Sequence, residues 1–169
     1  EPWLEPVAAA NYMRDFKGLA HRFEPVAERA GVAFVNDSKA TNVGSTVAAL
    51  NGLEPKGNVV LIAGGDAKGA DLSPLAESLV GRVKRIVTLG KDAPIVAAVA
   101  DKCGIPHVLA ATMEDAVAAA ANAAAPGDVV LLSPACASLD MFDNFQQRGD
   151  VFASAVRSLT GADFAAVQS

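Results

Sequence analysis

Short, unbroken apolar runs recur along this chain, each followed by a longer stretch with helical periodicity. The first run is Val32-Ala33-Phe34-Val35, ending at Asn36, and a helix is predicted over Val43 to Asn51. Further strands are predicted over Asn58 to Ala63, Arg85 to Leu89, Pro106 to Leu109 and Asp128 to Leu132. The intervening helices fall over Ser73 to Val80, Pro94 to Lys102 and Met113 to Ala124. Strands that are apolar throughout, rather than alternately, are covered on both faces. Repeated strand-helix units with short connections then give an α/β fold: a doubly wound, mostly parallel, Rossmann-like sheet.

The two ends of the chain depart from this rhythm. An extended stretch from His21 to Glu28, the turn Arg29-Ala30-Gly31 and the first apolar run read as an antiparallel hairpin, so a short antiparallel strand is expected near the start. Residues 1–20 read as a helical tail or linker from a preceding domain, with Tyr12, Met13 and Phe16 on one face, and 21–169 as the main domain. A last helical region is expected from Ser138 to Leu159, broken near Gly149. In that reading Arg148-Gly149-Asp150 is a helix stop, a break and the acidic cap of the next helix.

Composition narrows the classes of function. Of 169 residues, 51% are hydrophobic, enough for a continuous core, and aromatics make up only 5%. With a net charge of -5 the chain lacks the basic, aromatic-rich face of a nucleic-acid binder, so no nucleic acid is expected as partner. An anionic ligand would have to be drawn by a few local cations. No apolar run reaches the roughly 18 residues that span a bilayer, and no membrane insertion is expected. The acidic start Glu1-Pro2-Trp3-Leu4-Glu5 has no basic leader and no initiating Met, which reads as a fragment or processed product. Cys103 and Cys136, far apart and outside any C-x-x-C pair, read as reduced thiols of a cytoplasmic protein.

The polar residues gather where strands pass into helices, which is where open α/β sheets bind ligands. Asn36-Asp37-Ser38-Lys39-Ala40-Thr41-Asn42 follows the first buried run. Gly64-Gly65-Asp66-Ala67-Lys68 follows the second, and Ser133 to Asp140 follows the last. Taken singly, Asp37, Lys39 and Thr41 read as turn and cap residues. Ser138 with Asp140 likewise reads as a helix cap, whose free amides would also hold a carboxylate. Their recurrence after three strands points to one composite site. Lys68 precedes Gly69, so the glycine loop fails the G-x-x-x-x-G-K-[ST] phosphate-loop pattern, although its glycines allow close approach of a ligand. No G-x-G-x-x-G follows a strand. His21 and His107 have no ligand-spaced partner, so no metal site is expected in this chain.

These same segments, Asn36 to Asn42, Gly64 to Lys68, and Ser133 to Asp140 followed by Asn144-Phe145 and Arg148-Gly149, closely resemble the C-terminal domain of the Mur ligases. The similarity runs in order from about Phe16 to Leu159. Within the family the pattern is most like members that add D-glutamate. The resemblance implies a three-domain enzyme of peptidoglycan precursor synthesis whose reaction uses ATP and Mg2+. The carboxylate of UDP-N-acetylmuramoyl-L-alanine becomes an acyl phosphate, the amine of D-glutamate attacks it, and phosphate leaves. It further implies that the phosphate loop, the metal and the nucleotide-sugar site belong mainly to the preceding domains of the same enzyme, and that the fragment alone is inactive as a ligase. Thr41, Lys68, Ser138, Leu139 and Phe145 then correspond to the D-glutamate pocket. Arg22, Asp37 and Lys39 correspond to this domain's share of the ATP site, with Asp37 accepting from ribose hydroxyls. No catalytic residue is assigned to this chain. Gln146 stands where many relatives carry Glu, which touches a peripheral ion pair. The site would close between domains, with the His21-Arg22 segment as the candidate hinge. A different Mur or folylpolyglutamate-type ligase domain, and a non-catalytic Rossmann-like module that binds a small anion, remain the alternatives.

Overall fold

A computed structural model describes residues 19 to 164 apart from 55. The expected helical lead-in with Tyr12, Met13 and Phe16 lies outside the described residues. Six strands form one sheet: β1 (Glu24–Arg29), β2 (Val32–Asn36), β3 (Val59–Gly64), β4 (Val83–Leu89), β5 (His107–Leu109) and β6 (Val129–Leu132). Five helices accompany them: α1 (Val43–Asn51), α2 (Leu75–Leu79), α3 (Ala93–Lys102), α4 (Met113–Ala123) and α5 (Phe145–Ser158).

The spatial order is β1-β2-β6-β3-β4-β5. β1 pairs antiparallel with β2 across the Ala30-Gly31 turn, as the hairpin pattern predicts, and both turn residues adopt positive φ. β2, β6, β3, β4 and β5 are all parallel. The sheet is therefore mixed and mostly parallel. Because β6 enters between β2 and β3, its end is flanked by the ends of two earlier strands, with Leu132 in register with both Asn36 and Ile62.

Alternate strand residues serve opposite cores. Val60, Ile62, Val130 and Leu132 pack with Met113, Val117, Phe152 and Val156 of α4 and α5. Val59, Leu61 and Leu131 pack with Leu50, Leu75, Leu79 and Val96 of α1, α2 and α3. Completely burying a side chain such as Phe152 or Leu61 stabilises by about 1.5–3 kcal/mol. Two such clusters make the sheet the rigid frame for the loops at its carboxyl end. Among the described residues no helix is long and apolar enough to cross a membrane.

The last helical region corrects the sequence expectation. Ser138 heads a single turn, in which its carbonyl accepts from the amides of Met141 and Phe142 at 3.1 and 2.8 Å. The helix starts at Phe145, capped by Asn144, whose side chain accepts from Gln147 N at 2.8 Å. It then runs unbroken through Gly149. Arg148-Gly149-Asp150 is therefore neither stop nor cap; Arg148 and Gly149 face inward and are buried. Two smaller differences are a shorter α2 and a β4 that begins at Val83.

Candidate functional site

Where β2 ends, the chain turns on its own side chains. Asn36 Oδ1 accepts from Ser38 N at 3.1 Å, which leaves the Asn36 amide group to donate to Gly149 O at 3.2 Å and His21 Nδ1 at 3.1 Å. Asp37 N continues the parallel ladder to Leu132 O at 2.8 Å. Lys39 N donates to His21 O at 3.0 Å, so the start of the domain is fastened to this loop. Asn42 caps α1 by accepting from Ser45 N at 3.0 Å.

Asp37 is the most constrained ionisable group of this loop. Its Oδ1 accepts from Phe23 N at 3.2 Å and its Oδ2 from the Ser133 hydroxyl at 2.8 Å. Burial raises its pKa above the ordinary value of 3.8, against the lowering effects of Ser133, Phe23 and the Arg22 charge. Arg22, Asp37 and Lys39 line one open cleft of about 460 Å³, together with Phe23 and the Ser45 and Ala48 side of α1. These are the three residues that the resemblance places at the nucleotide.

The second loop is shaped by neighbouring backbone. A Cβ on Gly64 would meet Leu89 O, and one on Gly65 would meet Ala137 O, both far inside contact distance. The close approach that these glycines permit is thus made by β4 and by the loop after β6. Asp66 and Ala137 exchange backbone hydrogen bonds of 3.0 and 2.9 Å, and this bridge brings the Lys68 loop against the Ser138 loop. Lys68 itself takes a left-handed φ of 51°, held by its amide donating to Asp66 Oδ1 at 2.9 Å. That bond is the largest influence holding the Asp66 carboxyl below its ordinary pKa, and the Lys91 ammonium adds to it.

The third loop carries Ser138, buried, and Leu139, which is 63% exposed on the rim. Asp140 is not a helix cap: its Oδ2 accepts from Lys91 N at 2.8 Å and ties this loop to the end of β4. Phe145, at the start of α5, meets Lys39, whose Nζ sits 4.0 Å from the ring centroid. Its carbonyl accepts from the Ser38 hydroxyl at 2.7 Å. The residues assigned to nucleotide and to amino acid therefore touch through Lys39 and Phe145. Among the described residues, no hydrogen bond joins the Thr41, Lys68 or Ser138 side chain to another of these groups, and Leu139 stands on the exposed rim; these four share the loops rather than direct contacts.

Four residues that hold this region together, Arg148, Cys136, Ser133 and Lys91, are not among the candidate site residues read from sequence. Arg148, 2% exposed, donates to Ser38 Oγ, Ser38 O and Cys136 O at 3.0, 2.8 and 3.0 Å. Burial pushes its pKa down to about 10, so it stays charged at neutral pH. Cys136 is fully buried beside it and its thiol is pushed up to about 12 by the same desolvation, which makes it inert. Both cysteines are free thiols. Ser133 links Asp37 to Thr46, and Lys91 lies 3.3 Å from Asp66. His21 seats its ring in the notch left by Gly149, edge-on to Phe145 with centroids 6.1 Å apart. The segment expected as a hinge is thus clamped at His21.

Cations and hydroxyls thus gather on the rim of a doubly wound α/β sheet, at the strand ends where open sheets of this kind bind ligands. The chain belongs to the Mur ligase family: residues 21–136 match the family model described as Mur ligase, glutamate ligase domain. It is 54% identical over 153 residues to the UDP-N-acetylmuramoylalanine--D-glutamate ligase of Shewanella oneidensis, covering 90% of this chain and 34% of that protein. It is 49% identical to the protein of the same name from Nitrosospira multiformis, covering 94% of this chain and 33% of that one. The chain therefore spans about a third of the length of the curated relatives it matches. Among solved structures, UDP-N-acetylmuramate-alanine ligase MurC from Thermotoga maritima superposes with a TM-score of 0.63 at 13% identity, over 92% of this chain and 34% of that one. A domain from a putative UDP-N-acetylmuramate:L-alanyl-gamma-D-glutamyl-medo-diaminopimelate ligase from Haemophilus ducreyi gives 0.54 at 17%, over 80% and 99%. At these identities the two structures speak for the α/β fold alone.

Proposed function

We propose that this chain is the C-terminal, amino-acid-binding domain of a cytoplasmic ligase that joins D-glutamate to UDP-N-acetylmuramoyl-L-alanine at the expense of ATP. The observation that carries the reading is the contact of Lys39, which shares a cleft with Arg22 and Asp37, with the Phe145 ring, in a chain about half identical to enzymes of that name.

Each cluster has a task. In the cleft beside α1, Asp37 retains free lone pairs on both oxygens and accepts the ribose hydroxyls, while Arg22 and Lys39 face the phosphates. Lys39, resting on Phe145, stands where the nucleotide and the amino acid meet, and it neutralises charge as phosphate is transferred and released. On the other side Lys68, Thr41 and Ser138 hold the carboxylates of D-glutamate, and Leu139 and Phe145 cover its aliphatic stem. The domain orients the amine toward an acyl phosphate formed elsewhere, which is a gain of proximity rather than of acid-base chemistry.

Mg2+ supplies charge neutralisation on the ATP phosphates. Its ligands are assigned, on the family resemblance, mainly to the preceding domains. The experiment is steady-state kinetics of the complete enzyme carrying Lys68→Ala. The Michaelis constant for D-glutamate should rise at least about tenfold, the loss of one charge-assisted hydrogen bond, with that for ATP nearly unchanged. The opposite ordering would remove Lys68 from the amino-acid pocket.

A further inference from the structure

We propose that Lys91 is a second cation of the amino-acid pocket and sets its preference for a dicarboxylate. The inference rests on the reading above and deepens it. Lys91 follows the Leu89-Gly90 end of β4, the strand beside β3 in the sheet. Its backbone is pinned to the Ser138–Asp140 turn by the 2.8 Å bond from its amide to Asp140 Oδ2. Its ammonium lies 3.3 Å from Asp66 Oδ1, the same oxygen that accepts Lys68 N at 2.9 Å. Asp66 is in turn bridged to Ala137, the neighbour of Ser138. One carboxylate oxygen thus gathers the Lys68 loop and the Lys91 ammonium next to Ser138.

The electrostatics explain why a second cation belongs there. A dicarboxylate that places one anionic end at Lys68 and Ser138 brings negative charge toward Asp66. Unscreened, that approach is repulsive. Lys91 screens Asp66 and offers three donors of its own. Its side chain is 63% exposed and its ion pair with Asp66 is a surface pair, of little energy to exchange for a ligand carboxylate. Asp140 meets Lys91 through the backbone, its Oδ2 accepting from the amide, while the ammonium pairs with Asp66. An amino acid with a neutral side-chain amide gains nothing comparable from Lys91, and the residue therefore discriminates by charge.

The test uses the complete ligase with Lys91→Ala and Lys91→Arg, and Lys68→Ala as reference; both residues are exposed and their removal leaves the core intact. Lys91→Ala should raise the Michaelis constant for D-glutamate roughly ten- to a hundredfold, the range for a lost charged hydrogen bond, and leave that for ATP within about twofold. The ratio of kcat/KM for D-glutamate over D-glutamine should fall by a similar factor, and Lys91→Arg should restore most of both. If Lys68→Ala weakens D-glutamate while Lys91→Ala leaves its constant and the ratio unmoved, the second-cation role is overturned and the pocket stands. If neither variant moves the constant, the pocket assignment itself fails.

Discussion

Gly149 offers the sharpest test of how this site is held. In a helix interior, Gly→Ala ordinarily stabilises by about 0.5–1 kcal/mol, since alanine loses less backbone entropy. Here the added Cβ would fall inside the van der Waals envelope of His21 Nδ1 and 3.0 Å from Asn36 Nδ2. His21 cannot step aside without cost. Its ring is 12% exposed, its Nδ1 accepts from Asn36 at 3.1 Å, and its edge packs on Phe145. Moving it forfeits a hydrogen bond of about 1 kcal/mol and an aromatic contact of about 0.5–1.5 kcal/mol. Residual overpacking adds about 1 kcal/mol. Set against the propensity gain, Gly149→Ala should destabilise by about 2 kcal/mol. In a His21→Ala background only Asn36 Nδ2, at 3.0 Å, still borders the notch and, released from His21, it can give way, so the same change should instead stabilise by up to about 1 kcal/mol. The cycle therefore predicts a coupling of about 3 kcal/mol between the two sites, read from urea unfolding of the four proteins. A neutral or stabilising Gly149→Ala in the unaltered chain would refute the clamp. An equal cost in both backgrounds would place the clash elsewhere.

Two further predictions concern buried charge near the same loops. Removing the Arg148 guanidinium by Arg148→Met leaves Ser38 O and Cys136 O without their donor and should cost about 3 kcal/mol or more in urea unfolding. Arg148→Lys should recover only a minor part, since one ammonium cannot reach both carbonyls and the hydroxyl in the fork geometry. Asp37→Asn should stabilise at neutral pH. Burial raises the folded pKa of Asp37 above 3.8, so the folded protein binds this proton more tightly than the unfolded chain, and stability falls as pH rises from about 3.8 through the raised value. The advantage of Asn, whose amide can donate to Ser133 while that hydroxyl turns to Thr46, should shrink toward zero when melting is followed down to about pH 3.5. An advantage that grows on acidification would reverse the assignment.

The strands were legible because each is a short, wholly apolar run, and the observed division of Val59, Leu61 from Val60, Ile62 between two cores is what such runs mean. The hairpin was legible from its turn. The insertion of β6 between β2 and β3 was not, since strand order is decided by packing that no local pattern encodes. The misread last helix had a usable signal. Phe145, Arg148, Gly149, Phe152, Ala153 and Val156 recur at helical spacing, and Phe145 apart they are all buried. Gly149 reads locally as a break but is a notch, because the ring that fills it comes from residue 21, far away in sequence. Arg148 reads as a helix stop for the same reason: a charge on a buried stripe makes sense only once the unpaired carbonyls it meets are known. Lys91 lies in no motif, and only the register of β4 beside β3 brings it to Asp66.

The topology explains why a buried arginine and two anion-directed clusters occur together. β2 leads into α1 and β3 toward α2, both on one face of the sheet, whereas β6, lying between them, leads to α5 on the other. The chain therefore diverges twice at the carboxyl edge, once on either side of β6, and each divergence opens a crevice of the kind that holds ligands in open sheets. Divergence also ends the ladder, leaving carbonyls such as Ser38 O and Cys136 O buried without a strand neighbour, which no apolar side chain can satisfy. Arg148 answers the first crevice by donating across it. The Asp66–Ala137 bridge stitches the second. With both gaps fixed from below, Lys39 is set over Phe145 and the exposed Lys68 and Lys91 hang from loops whose backbones cannot drift. The residues that stabilise this edge are thus the ones that aim its cations, and Arg148 should resist replacement by an apolar side chain of equal volume even where its own desolvation makes it a poor source of net stability.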